Sequence, residues 1–186
     1  MTPPDVGIPS LIKYSQIPPT PWVNGKGQTT ELISWERSRT LSPAPTPAWR
    51  LSIARLEGAA AFSPIPGVHR QFLPIGTSVL LTVNGDPRRV ADHTITEFDG
   101  DNVVDLLDLE PRPGYAVNLM VRDSAASSSM TFDVCSTTDD SFRTCLVAVT
   151  LESAPGIGRF DVVTPDSTEV GGTTFSIATL HLLHPA

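Results

Sequence analysis

The chain has 186 residues, 40% of them hydrophobic and 18% charged, which excludes a disordered protein and fits one domain or two small fused ones. Thirteen Lys and Arg stand against twenty Asp and Glu, for a net charge of −7, and this excludes the broad basic surface that neutralises nucleic-acid phosphates. No apolar run approaches the roughly 18 residues of a membrane-spanning helix.

The first residues, Met1-Thr2-Pro3-Pro4-Asp5, show no basic segment followed by an apolar stretch. The reading is a cytoplasmic protein with no membrane partner. A helical turn is expected only near Leu11–Ile17. Strand-like runs then follow one another: Thr29–Trp35, Trp49–Leu56, Arg70–Leu73, Ser78–Val83, Val103–Leu109, Tyr115–Val121, Met130–Val134, Thr144–Leu151, Arg159–Val163 and Thr173–Leu182. Turn signals separate them at Asn84-Gly85-Asp86-Pro87, Asp99-Gly100-Asp101, Pro111-Arg112-Pro113-Gly114 and Gly171-Gly172. With 18 prolines and 13 glycines, the pattern predicts an all-β sandwich or barrel with very little helix. Thr40–Pro47 reads as an exposed proline-rich loop and Asp123–Ser129 as a flexible link. The whole of 1–186 is read as one unit, with a motif-rich part over about 11–122 and a plainer β-rich part over about 130–186.

Alternation assigns side chains to faces. In Trp49–Arg55, Leu51 and Ile53 share one face, while Arg50, Ser52 and Ala54 share the other. In Tyr115–Arg122, Val117, Leu119 and Val121 alternate with Asn118, Met120 and Arg122. Guanidinium, hydroxyl and amide groups on one face suit a carboxylate, which an arginine meets with two parallel hydrogen bonds. Ser63-Pro64-Ile65-Pro66-Gly67 is a stiff turn that presents either Ser63 and Arg70 to a ligand or merely a corner of the fold. Trp22-Val23-Asn24-Gly25-Lys26-Gly27-Gln28 feeds the Thr29 strand, and either closes a tight turn through Asn24 or edges a pocket with Trp22, Asn24 and Glu31 inward. Thr29, Glu31 and Ile33 are expected on one face, with Arg50 or Arg70 as the partner of Glu31.

Other chemistries lack their residues. No His-x-His pair occurs among His69, His93, His181 and His184, and His181-x-x-His184 splits across the two faces of a strand. There is no Gly-x-Ser-x-Gly elbow and no motif around Cys135 or Cys145, which are expected as free thiols in a reducing compartment, with a cross-strand disulfide as the alternative. Asp99 and Asp101 suit turn capping better than acid–base work.

Five segments occur in order: Pro21–Glu31, Trp49–Ala54, Phe62–Arg70, Phe98–Asp101 and Val117–Arg122. Together they resemble the HutD/Ves family of cupin-like proteins, over roughly Pro21 to Arg122. The resemblance implies a double-barrel (bicupin) β-fold of antiparallel sheets, without metal or other cofactor. It implies a ligand pocket at Trp22, Asn24, Thr29, Glu31, Arg50, Ser52, Ser63, Arg70, Asn118 and Met120. It further implies a small acid such as N-formyl-L-glutamate, bound to moderate histidine utilisation, or a role in stress. Lys26 stands where the family has glycine, Ile65 where it has phenylalanine, and His69 where an acidic or polar residue is common. The expected function is non-catalytic, metal-free binding of a small carboxylate. Two alternatives stay open: a metal-independent isomerase or lyase with Glu31 as base, and an interaction module with its polar faces exposed. A homodimer stays open as well.

Overall fold

A computed structural model describes residues 11–41, 47–122, 130–170 and 174–182. The link Asp123–Ser129 and His184 lie outside them, as does most of the Thr40–Pro47 loop. Fifteen strands form three antiparallel sheets among the described residues.

The six-stranded sheet takes β2 (Thr20–Pro21), β3 (Gly27–Ile33), β4 (Trp49–Leu56), β11 (Gly114–Arg122), β6 (Val68–Ile75) and β9 (Thr96–Asp99), in that order. A four-stranded sheet runs β5 (Ala60–Ala61), β10 (Val104–Glu110), β7 (Ser78–Val83) and β8 (Asp86–Val90). A five-stranded sheet runs β1 (Leu11–Ile12), β14 (Val162–Val163), β13 (Val147–Thr150), β15 (Ser176–Leu182) and β12 (Met130–Ser136).

The six-stranded sheet is the middle layer, because both of its faces are buried. Leu51, Ile53, Leu73, Val117, Leu119 and Val121 pack with Phe132, Val147, Val149, Ala178 and Leu180 of the five-stranded sheet. On the opposite face Ala54, Leu56, Phe72 and Ala116 pack with Val79, Leu81, Val104 and Leu106 of the four-stranded sheet. The alternation in Trp49–Arg55 and Tyr115–Arg122 therefore separates two cores, and Arg50, Ser52 and Asn118 stand on the face of the second. Gln71 ties the first two layers directly: its Oε1 accepts the Phe132 N–H at 2.8 Å.

The sheets do not close into barrels. Each ends in free edges, at β2 and β9 in the middle layer and at β5 and β8 in the four-stranded one. The cupin-like β-architecture expected from the sequence is present, as open antiparallel sheets rather than two closed barrels.

Two local expectations are corrected. Trp35 starts a helix, α1 (Trp35–Leu41), instead of ending a strand. Ser34 caps it, with Oγ accepting the Arg37 N–H at 3.2 Å. Seven residues are too few to print a helical period on a sequence. Ile33 does not share the face of Glu31: a register shift between them pairs Ile33 with Leu51 and turns it into the first core. A single 3₁₀ turn, Tyr14–Gln16, stands within the expected helical segment. A second short helix, α2 (Asp140–Thr144), was not expected at all. Strands β8 and β9 escaped notice because they are edge strands rich in exposed polar residues and show no alternation. The turn that opens β8 was legible, since Asn84 and Gly85 both take positive φ, as a two-residue hairpin requires.

Candidate functional site

The second face of the middle sheet is apolar at one end and polar at the other. Cross-strand register sets the order. Arg50 on β4, Met120 on β11 and Arg70 on β6 lie side by side. The next rank is Ser52, Asn118 and Phe72, and the next is Ala54, Ala116 and Pro74. A cavity of about 490 Å³ opens over this floor. Nine of the ten residues expected at the pocket line it: Trp22, Asn24, Thr29, Arg50, Ser52, Ser63, Arg70, Asn118 and Met120. Glu31 does not line it.

Arg70 dominates the electrostatics. It is only 7% exposed. Its guanidinium lies over the rings of Phe62 and Phe98, which pack against each other, 5.2 Å from each centroid. One NH donates to the Ser63 carbonyl over a long 3.4 Å, and the Nε has no partner. No carboxylate pairs with it among the described residues. Burial, followed by repulsion from Arg50, holds its pKa at about 10, below the ordinary arginine range. The group remains a cation at neutral pH, desolvated and without a counter-ion.

Arg50 is oriented differently. Its Nε donates to Glu31, and an NH approaches the Met120 sulfur at 3.9 Å. The Glu31 side chain is 41% exposed, at the rim. Glu31 thus holds Arg50 in place from outside the cavity. Asn118 is 6% exposed, and its Oδ1 has no hydrogen-bond partner. Buried polar atoms in folded proteins are nearly always paired, so this acceptor is an exception within the cavity floor.

Two loops build the walls. In the β2–β3 turn, the Trp22 N–H donates to the Gly27 carbonyl at 2.9 Å, and Trp22 Nε1 donates to Thr29 Oγ1 at 2.8 Å. Asn24 Oδ1 accepts the Lys26 N–H at 2.9 Å, so it closes the turn and lines the cavity at once. Gly27 is needed because a Cβ there would sit 2.4 Å from the Arg55 carbonyl oxygen and 3.0 Å from the Trp22 ring.

The second wall is the stiff segment between β5 and β6. The Ile65 N–H donates to the Gly100 carbonyl at 2.9 Å, and the Gly67 N–H to Asp101 at 3.3 Å. Asp101 is therefore a turn-securing group. A Cβ on Gly100 would lie 2.0 Å from the Ile65 carbonyl oxygen. Gly100→Ala is expected to push this wall outward, costing about 1–3 kcal/mol of stability and at least about tenfold in affinity for any ligand held there. Urea unfolding and ligand titration of the variant check it, and unchanged binding would detach this wall from the site.

The aromatic part of the site was not foreseen. Phe62 and Phe72 line the cavity, and Phe98, packed against Phe62, also meets the Arg70 guanidinium. The signal was present for Phe72, two residues after Arg70 and so on the same strand face. Histidines are placed elsewhere: His69 Nδ1 lies 3.1 Å from Asp99, and His93 Nδ1 lies 2.9 Å from Asp92. Among the described residues no group of three His, Cys, Asp or Glu side chains is arranged to hold a metal ion. Cys135 and Cys145 are free, and no described helix is long and apolar enough to cross a membrane.

Layered antiparallel sheets with a deep polar cavity on one face of the middle sheet define a cupin-like β-protein. The family model of HutD matches residues 14–165, and the chain belongs to the HutD family. Two solved structures are similar along nearly their whole length. One is a conserved protein of unknown function, PA5104, from Pseudomonas aeruginosa PAO1: 18% identity, 94% of this chain and 98% of that one covered, TM-score 0.62. The other is HutD from Pseudomonas fluorescens SBW25, solved in a formate condition: 21% identity, 94% and 99% covered, TM-score 0.58. At these identities the likeness speaks for the fold. No curated protein matches the chain at the level of sequence.

Proposed function

We propose that the chain binds a small carboxylate of the N-formyl-L-glutamate kind in this cavity, without chemistry on it. The observation that carries the reading is Arg70, a buried cation in the cavity lining that pairs with no carboxylate among the described residues. Burying a charge without a counter-ion is costly, and a bound carboxylate removes that cost with two charge-assisted hydrogen bonds. Met120 separates Arg70 from Arg50 in the register, so the anion would sit between two guanidinium groups. Membership in the HutD family favours a moderating role in histidine utilisation, with a stress response as the other setting.

The alternative was an isomerase or lyase with Glu31 as base. Glu31 is bound to Arg50 and stands outside the cavity lining, so no observation favours that reading. An exposed interaction face is also unsupported, because Arg70, Ser52 and Asn118 are buried.

Thermal melting in the presence of N-formyl-L-glutamate and simple carboxylates tests the proposal. A ligand at about 100 times its Kd should add close to 3 kcal/mol and raise Tm by several degrees. Arg50→Ala is expected to abolish the rise. No shift with any small acid would sink the reading.

A further inference from the structure

The two arginines of the cavity differ in their partners. Arg70 meets no carboxylate among the described residues, whereas Arg50 already meets one, Glu31. Glu31 stands across from Ser52, on β3, the strand that flanks β4 on the side away from β11. From there it reaches the Arg50 Nε on the diagonal. Across the strands the order is therefore Glu31 on β3, Arg50 on β4, Met120 on β11 and Arg70 on β6.

Arg50 is near enough to Arg70 for its charge to lower the proton affinity of that group. Without Glu31, the ligand-free cavity would hold two mutually repelling cations. Glu31 is also suited to let go. Its side chain is 41% exposed, against 21% for Arg50, so it returns to water at small cost. The other contact of Arg50, from an NH to the Met120 sulfur at 3.9 Å, is long and uncharged, and does not replace a counter-ion.

β4 and β6 lie about 10 Å apart with only β11 between them, so one short dicarboxylate reaches the long side chains of both arginines. Its first carboxylate takes Arg70, where it has no competitor. Its second arrives at Arg50 and finds Glu31. Two carboxylates then share one guanidinium, and the charge of Glu31 opposes the incoming group whether Glu31 swings out or stays.

We infer that Glu31 is a resident counter-ion of Arg50 that competes with the second carboxylate of a bound dicarboxylate, and so sets how far the cavity prefers dicarboxylates over monocarboxylates. The inference rests on the carboxylate-binding reading above and adds to it a specificity-determining residue outside the cavity lining. A positioning role, in which Glu31 aligns Arg50 for the ligand, has the opposite sign: loss of its charge would weaken binding.

Titration calorimetry of the intact protein with glutarate and butyrate, at fixed ionic strength, reads that sign. Glu31→Gln keeps a carbonyl acceptor for the Arg50 Nε and removes the charge. It is expected to bind glutarate about fivefold more tightly than the parent does, and butyrate within about twofold. Glu57→Gln is the control. It removes a similarly exposed carboxylate, paired with Arg55 at 3.2 Å and absent from the cavity lining, and should leave the ratio of the two affinities unchanged. The parent alone gives a second reading: glutarate should exceed butyrate by no more than about threefold, because its second ion pair only replaces an existing one. A ratio that stays level or falls in Glu31→Gln overturns the inference. An equal rise in Glu57→Gln overturns it too, as does a parent preference above about tenfold for glutarate. Failure of both acids to bind the parent and Glu31→Gln overturns the carboxylate reading beneath it.

Discussion

Arg70→Met is expected to abolish carboxylate-induced stabilisation while leaving the ligand-free protein at least as stable as the parent. The guanidinium is held at about 10, well below a solvated arginine, by burial first and by Arg50 second. The unfolded chain therefore binds this proton more tightly than the folded one. From about pH 10 up to the ordinary arginine range this group makes stability rise with pH, and below about pH 10 its cost to the fold is present in full. A depression of that size is on the order of 3 kcal/mol. Contact with the Phe62 and Phe98 rings returns about 1–2 kcal/mol, and the 3.4 Å contact to the Ser63 carbonyl adds little. Methionine fills a comparable length, keeps apolar contact with both rings and carries no charge. The variant should melt at or up to a few degrees above the parent without ligand, and should show no shift with a carboxylate. A variant that melts far below the parent would make Arg70 a structural strut, and the binding proposal would lose the observation that carries it.

That trade between stability and binding explains how much of the site could be read before the fold was known. Alternation put Arg50, Ser52 and Ala54 on one face and Asn118 and Met120 on another, and strand pairing made these a single floor. Alternation holds wherever a strand keeps a regular register. It failed at Ile33, where a one-residue shift against β4 reverses the faces. The same irregularity leaves Glu31 at the rim, beside Arg50, rather than in the pocket. The aromatic bracket around Arg70 was not legible in its full extent. Phe98 reaches Arg70 only through the pairing of β6 with β9, a polar edge strand without a periodic signal. The Phe98–Asp101 motif was visible as a turn. What the turn does, holding the wall at Ile65, depends on a contact between backbones that no side-chain pattern encodes. The cavity itself follows from the third layer, which leaves the polar end of the floor uncovered where the four-stranded sheet stops packing against it.

The largest stability loss is expected far from the cavity, at Asp161. Its carboxylate is 1% exposed, yet it lies in the half of the chain where no motif was found. Oδ1 accepts the Tyr14 N–H at 2.9 Å, and Oδ2 accepts the Gly158 N–H at 2.8 Å. Lys13 Nζ stands 3.3 Å from Oδ2 and supplies the counter-charge. One side chain thereby fastens the first turn of the described chain to the loop that precedes β14. The Tyr14 ring completes the junction by meeting Phe160 edge-on, at a centroid distance of 5.4 Å. Asp161→Ala removes the acceptor for two backbone donors at once. Each buried N–H left unpaired costs about 1–3 kcal/mol, so a loss of roughly 3 kcal/mol is expected. For a chain of this length that lowers Tm by roughly 10 °C. Hydrogen exchange locates the effect: the Tyr14 amide should lose its protection, while amides of β4 and β11 keep theirs relative to the new global stability. Unfolding in urea with less than about 1 kcal/mol of loss would show that the junction contributes nothing to the fold.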